Sequence, residues 1–143
     1  MTRSDCPPPG PDRLPAIRVV AMPADANPEG DIFGGWLMAQ MDLAASMVAM
    51  RTARGRTVTV AVEGMSFILP VLVGDELTVY ADLVGRGRTS MSIAVQAWRR
   101  ERCADEQHKV TEAIFTFVAI DENRRPVALP AEDLGPREQA APS

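Results

Sequence analysis

The sequence predicts an α+β domain in which one long central helix is wrapped by a curved antiparallel sheet of about five or six strands. Three observations predict it. A stretch of helical composition, GGWLMAQMDLAASMVAMRTA, occurs once and early. Nearly everything after it follows the two-residue alternation of strands. Glycine-containing joints, VGDE and GRGR, separate the alternating runs, as antiparallel neighbours require. With a single helix available to cover it, the sheet must curl around that helix for both to bury their apolar faces. The sheet's other face and its edges then favour pairing with a second copy.

The elements follow in order. AIRVVAM (16–22) is a short β-branched run stopped by Pro23, and PADANPEGD is a turn-rich loop. The helix runs from Gly34/Gly35 to Ala53, closed by RTARGR, whose Arg and Gly suit a helix C-terminus. TVTVAVEGMSFIL (57–69) is expected to place Val58, Val60 and Val62 on one face and Thr57, Thr59, Ala61 and Glu63 on the other, with Gly64 as a bulge or close-approach point. Three further strands are expected at 76–84, 89–98 and 109–120. Residues 1–13 and 131–143, rich in Pro, Ala, Ser and charge, read as flexible tails around one domain at 14–130.

Composition narrows the function. A chain of 143 residues suits one core, and 46% hydrophobic with 24% charged residues is ordinary for a globular domain. A formal charge of −4 argues against a sequence-independent nucleic-acid binder, though Arg86 and Arg88 leave a local site for a small phosphorylated ligand. The longest apolar run is the helix, interrupted by Gln40, Asp42 and Ser46. A span needs ~20 mostly apolar residues, so no membrane crossing is expected. MTRSDCPPPG lacks the apolar core of a secretory signal, and Cys6 and Cys103 form no disulfide framework, which points to a reducing cytoplasm. Two thiols without a histidine cluster offer no metal site. His108, the single histidine, sits in a charged segment and reads as a solvated loop or strand-edge residue.

The helix contains two anomalies. It opens on Gly34 and Gly35, and it carries Asp42 among apolar residues. Glycine weakens helices, and a carboxylate there needs a partner, for instance Arg51, Arg54 or Arg56. Trp36, Met38, Met41, Met47 and Met50 form a helical stripe that reads as core.

The blocks AMPADANPEGDIFGGWLMAQMD, VTVAVEGMSF, PVLVGDELTVYADLVGRGRTSMSI and TEAIFTFVAID resemble the hotdog fold, and within it the YciA-type acyl-coenzyme A thioesterases. The resemblance covers residues 17 to 130. It implies an acyl-CoA thioester hydrolase needing no cofactor, active as a homodimer at minimum and assembled as a hexamer, a trimer of dimers. Two other readings are a hotdog hydratase or dehydratase acting on acyl thioesters and a non-catalytic acyl-CoA-binding protein.

Carried over by motif, Asp42 is the general base or nucleophile, and the backbone amide of Gly34 or Gly35 is the oxyanion donor. Helix N-termini suit that second task, since their first N–H groups are unpaired and their dipole is positive. The two groups are eight residues apart (42 − 34), ~12 Å along one helix, too far to meet at one carbonyl. Two antiparallel helices across a two-fold axis bring each Asp42 to the other's glycine end, which is also the arrangement the family implies. Asp31 is expected as a helix cap or loop anchor, Asn27 as an Asx-turn residue or water-orienting group, and Glu63 as solvent-facing or at the site or dimer contact. Arg88, Thr89 and Ser90, in a turn rich in donors, are assigned to coenzyme A.

Overall fold

The computed structural model describes residues 13–131. Among them the order is β1 (Ile17–Val20), a short 3-10 turn (Pro23–Asp25), α1 (Gly34–Ala53), β2 (Thr57–Glu63), β3 (Glu76–Arg86), β4 (Ser90–Arg100) and β5 (Gln107–Ala119). The tails expected at 1–13 and 131–143 lie, except for Arg13 and Ala131, outside the described residues. Arg13 packs on the sheet: its guanidinium lies 4.5 Å from the Tyr80 ring centroid, pairs with Asp82 and donates to Gln96 Oε1 at 3.3 Å. The strands pair antiparallel in the order β1-β3-β4-β5-β2, and this five-strand sheet curls as a half-barrel around α1.

The helix buries Leu37, Met41, Ala44, Ala45 and Ala49 against Leu77, Val79, Met91, Ile93, Val95, Phe115 and Phe117. Three alanines on the inner face let the helix approach the sheet closely, and the two phenylalanines fill the space beneath it. The methionine stripe divides, contrary to the sequence reading: Met41 is in the core, whereas Met38, Met47 and Met50 are exposed together with Leu43. A helix apolar on every side has a second surface to bury, and one chain covers only the first.

β2 departs from simple alternation. Its register on β5 passes from Thr59↔Phe117 to Ala61↔Thr116, so the bulge falls at Val60 rather than at Gly64. Directly opposed residues share a face. Thr57, Thr59 and Val62 therefore lie on the helix side with Phe115 and Phe117, while Val58, Ala61 and Glu63 lie on the outer side. Gly64, at φ 74°, turns the chain out of the sheet, which is why the strand stops at Glu63 and does not continue to Leu69. β3 outlasts the sequence expectation because a second bulge, between Leu83 and Gly85, carries it on to Arg86. β5 begins at Gln107 and takes in His108, which is half exposed and pairs with Glu106 at 3.2 Å.

The loop between β2 and β3 is tied down by polar contacts. Thr111 donates to Ser66 O at 2.6 Å, and Ile68 N–H donates to Val110 O at 2.7 Å. At its end the buried Asp75 carboxylate accepts from Leu72 N–H at 2.9 Å and pairs with Arg99 at 3.1 Å.

Candidate active site

The loop before α1 is built by Asn27. Its side-chain oxygen accepts from the amides of Glu29 and Asp31, both at 3.0 Å, an Asx-type turn that fixes the approach to the helix. Asp31 does not cap α1. The residue at the cap position is Phe33, and no side chain bonds the first turn. Asp31 instead anchors the loop through its backbone: its carbonyl accepts from Asn27 N–H at 2.7 Å, and it bridges to Leu72.

The helix therefore begins bare. Trp36 and Leu37 donate back to Phe33 O, at 3.1 and 3.3 Å, but among the described residues the N–H groups of Gly34 and Gly35 bond no acceptor, and no acidic residue stands in the first turn. Two amides at the positive end of a twenty-residue helix are thus open to an anionic oxygen. The two glycines differ in surroundings. A Cβ on Gly34 would meet the Phe67 ring at 3.4 Å, whereas one on Gly35 would meet nothing within 4 Å. Beside them lies a cleft of about 360 Å³ lined by Asn27, Asp31, Phe33, Gly34, Leu37 and Phe67, among others. Asn27 and Asp31, on the loop before the helix, supply its polar side chains, and Ile32, Phe33, Leu37 and Phe67 line its apolar part.

Asp42 is elsewhere. It lies two turns along α1, half-buried, and its Oδ1 accepts a hydrogen bond from the Thr59 hydroxyl at 2.7 Å. Thr59 faces the helix because it pairs with Phe117 on β5, just before the Val60 bulge. Strict alternation grouped Thr59 with Ala61 and Glu63 on one face, whereas the bulge parts them, with Thr59 on the helix side and Ala61 and Glu63 on the outer side. The alternatives to a catalytic role for Asp42 were a water-facing side chain or a pairing with Arg51, Arg54 or Arg56, and the observed partner is a hydroxyl from the next strand. A carboxylate so held is fixed in orientation yet keeps a second oxygen for other work.

The remaining candidates are spread out. Glu63 lies at the exposed end of β2 and lines a separate outer-face hollow of about 240 Å³ with Gln96 and Glu112. Arg88 and Thr89 lie in the β3–β4 turn and Ser90 opens β4, with the turn closed by Gly87 N–H to Ser90 O at 2.8 Å. Arg86 is anchored, donating to Pro130 O at 2.5 Å, while Arg88 is exposed. One chain thus unites Asn27, Asp31 and Gly34 in a cleft and leaves Asp42, Glu63 and the turn outside it. Among the described residues no cluster of His, Cys, Asp and Glu could hold a metal ion, and no helix is long and apolar enough to cross a membrane.

Comparison with known proteins adds family context. Residues 29–103 match the family described as the thioesterase superfamily. An uncharacterised acyl-CoA thioester hydrolase of Zymomonas mobilis is 54% identical over 131 residues, covering 91% of this chain and 88% of that protein. The acyl-CoA thioester hydrolase YciA of Escherichia coli is 49% identical over 119 residues, covering 81% and 90% respectively. Among solved structures, the hexameric thioesterase y2039 from Yersinia pestis superposes with a TM-score of 0.80 at 43% identity, covering 86% of this chain and all of that one.

Proposed function

Since the chain belongs to the thioesterase superfamily, we propose that it hydrolyses acyl-CoA thioesters to a free acid and coenzyme A. One observation carries the reading: a single helix bears two unpaired N-terminal amides and, ~12 Å further on, an oriented carboxylate. Both are what acyl transfer to water uses. The carbonyl oxygen of the thioester lies against the Gly34 and Gly35 amides, which stabilise the oxyanion as it forms. Asp42, positioned by Thr59, either takes a proton from the attacking water or attacks the carbonyl itself. Collapse of the tetrahedral intermediate breaks the C–S bond; on the water route the thiolate leaves as coenzyme A with the proton Asp42 took, and on the nucleophilic route a water then cleaves the acyl–Asp42 anhydride, releasing the acid and supplying that proton.

The spacing requires two chains. Each site takes Asp42 from one protomer and the glycine amides from its partner, so a homodimer is the minimal active unit. Supporting this are the apolar residues that one chain leaves exposed, Leu43, Met47 and Met50 on α1 and Val60 and Val62 on β2, and the edge of β2, which pairs with no strand among the described residues. The hexameric state described for the Yersinia pestis relative supports a further assembly of three dimers. Asn27 shapes the acyl cleft, Asp31 holds its loop, and Glu63 serves a contact between chains. The exposed Arg88, with Thr89 and Ser90, receives the phosphates of coenzyme A. The exposed thiol of Cys103 suits a reducing cytoplasm.

The test is Asp42→Asn, a near-isosteric change that Thr59 can still bond. Thioester cleavage should fall by about 10²–10⁴-fold while the assembly and its melting stay those of the parent. Undiminished turnover would remove Asp42 from the mechanism.

A further inference from the structure

The chain beyond β5 does something the reaction alone does not explain. After Ala119 it reverses sharply: the Asp121 carboxylate accepts from Asn123 N–H at 2.8 Å and Arg125 N–H at 3.0 Å, and Asp121 N–H donates to Arg125 O at 2.9 Å. The returning segment bridges Ile120 to Pro126 and donates from Val127 N–H to Ala119 O at 2.9 Å. It then arrives at the β3–β4 turn. There Leu129 N–H donates to Arg88 O at 2.8 Å, the Leu129 side chain packs on the core, and Pro130 O receives the Arg86 guanidinium. From the other side Ala119 N–H donates to Thr89 O at 2.9 Å.

Carbonyls at the tip of a short hairpin ordinarily face water, and such tips move freely. Here the carbonyls of Arg88 and Thr89 are both held, and the strand residue before the turn is anchored by its side chain. The side chain that remains exposed at the tip is Arg88, whose guanidinium pairs with no carboxylate among the described residues. A fork-shaped cation on a fixed backbone is pre-organised for phosphate.

We infer that residues 126–130 form a strap that positions Arg88 for the phosphates of coenzyme A, with Leu129 and Arg86 as the positioning residues. The inference rests on the assignment of the turn to coenzyme A, and the experiment separates the two.

Steady-state kinetics of the full chain are measured with one acyl group carried either on coenzyme A or on pantetheine, which lacks the nucleotide phosphates. Leu129→Pro deletes the N–H that holds Arg88 O. It should raise KM for the acyl-CoA about tenfold, leave kcat near that of the parent, and leave the acyl-pantetheine KM unchanged. Arg86→Met, which retains the backbone bonds, should give the same substrate pattern with a rise of about threefold, and it decides the matter if Leu129→Pro fails to fold in a thermal melt. In an Arg88→Ala background neither change should add to KM. If Arg88→Ala itself leaves the acyl-CoA KM unchanged, the turn does not bind coenzyme A and the strap's role falls with it. If Arg88→Ala raises KM but both strap variants keep the parental value, or raise it equally for the two substrates, the strap proposal alone is overturned.

Discussion

The hydroxyl of Thr59 and the carboxylate of Asp42 are joined by a 2.7 Å hydrogen bond that links the first strand after the helix to the helix's third turn. Seventeen residues apart in sequence, they meet because Thr59, paired with Phe117 on β5, lies on the helix side of the sheet.

That bond makes the orientation of the carboxylate depend on a single hydroxyl. Thr59→Val keeps the shape and deletes the donor, and it should lower kcat about tenfold with little change in KM, whereas Thr59→Ser should retain most of the rate. Thiol release under saturating acyl-CoA measures both. A Thr59→Val enzyme with parental kcat would leave the hydroxyl a purely structural contact.

Gly35 separates stability from activity. Open space surrounds the position a Cβ would take there, so Gly35→Val should fold as well as the parent. In the proposed site the added branches stand between the acyl carbonyl and the helix amides, so kcat/KM should drop by about a hundredfold or more. Melting temperature and turnover, measured on the same preparation, should therefore part company. Joint loss of both would mean the glycine serves the fold.

Shared sites have a further signature. Chains carrying Asp42→Ala and chains carrying Gly35→Val should each be inactive as homodimers. Mixed dimers formed after dissociation and reassociation contain one site built from two intact halves, so activity should return to about half the parental value per mixed dimer. Mixed dimers that stay silent would show that each site is built within one chain.

The stability of the β2–β3 loop turns on one buried ion pair. Asp75→Ala leaves the mostly buried Arg99 with only the exposed Glu101, at 3.7 Å, and frees the Leu72 amide, and should cost about 2–4 kcal/mol in chemical denaturation. A loss below about 1 kcal/mol would place the pair with ordinary surface contacts.

Much of this was legible in the sequence. The helix starts at Gly34 and ends at Ala53, as composition and the RTARGR segment indicated, and the antiparallel sheet follows from alternation and the two turns. What escaped was local register. Nothing in TVTVAVE marks Val60 as an extra residue, since no glycine sits there, and Gly64 drew the bulge to itself while serving as the exit from the strand. Asp31 resembled a cap by composition and spacing, yet the backbone reaches the helix through Phe33, a residue without capping chemistry. GRGR read as a turn throughout, but Gly85 and Arg86 remain in β3 because the neighbouring bulge absorbs the irregularity. Interplay between the last segment and the β3–β4 turn joins residues some forty positions apart, a contact that no periodicity in one sequence can encode.

The outer edge of β2 has a consequence for a newly made chain. Among the described residues nothing pairs with that edge, and Val60, Val62 and Leu43 are exposed nearby in sequence or on the helix it packs against. An open ladder beside oily side chains is a template on which any extended segment can grow, and charged or proline gatekeepers are missing from TVTVAV. In the proposed dimer, prompt capture by another copy during synthesis would also defend against aggregation, and mutations that weaken that capture should show first as insoluble protein.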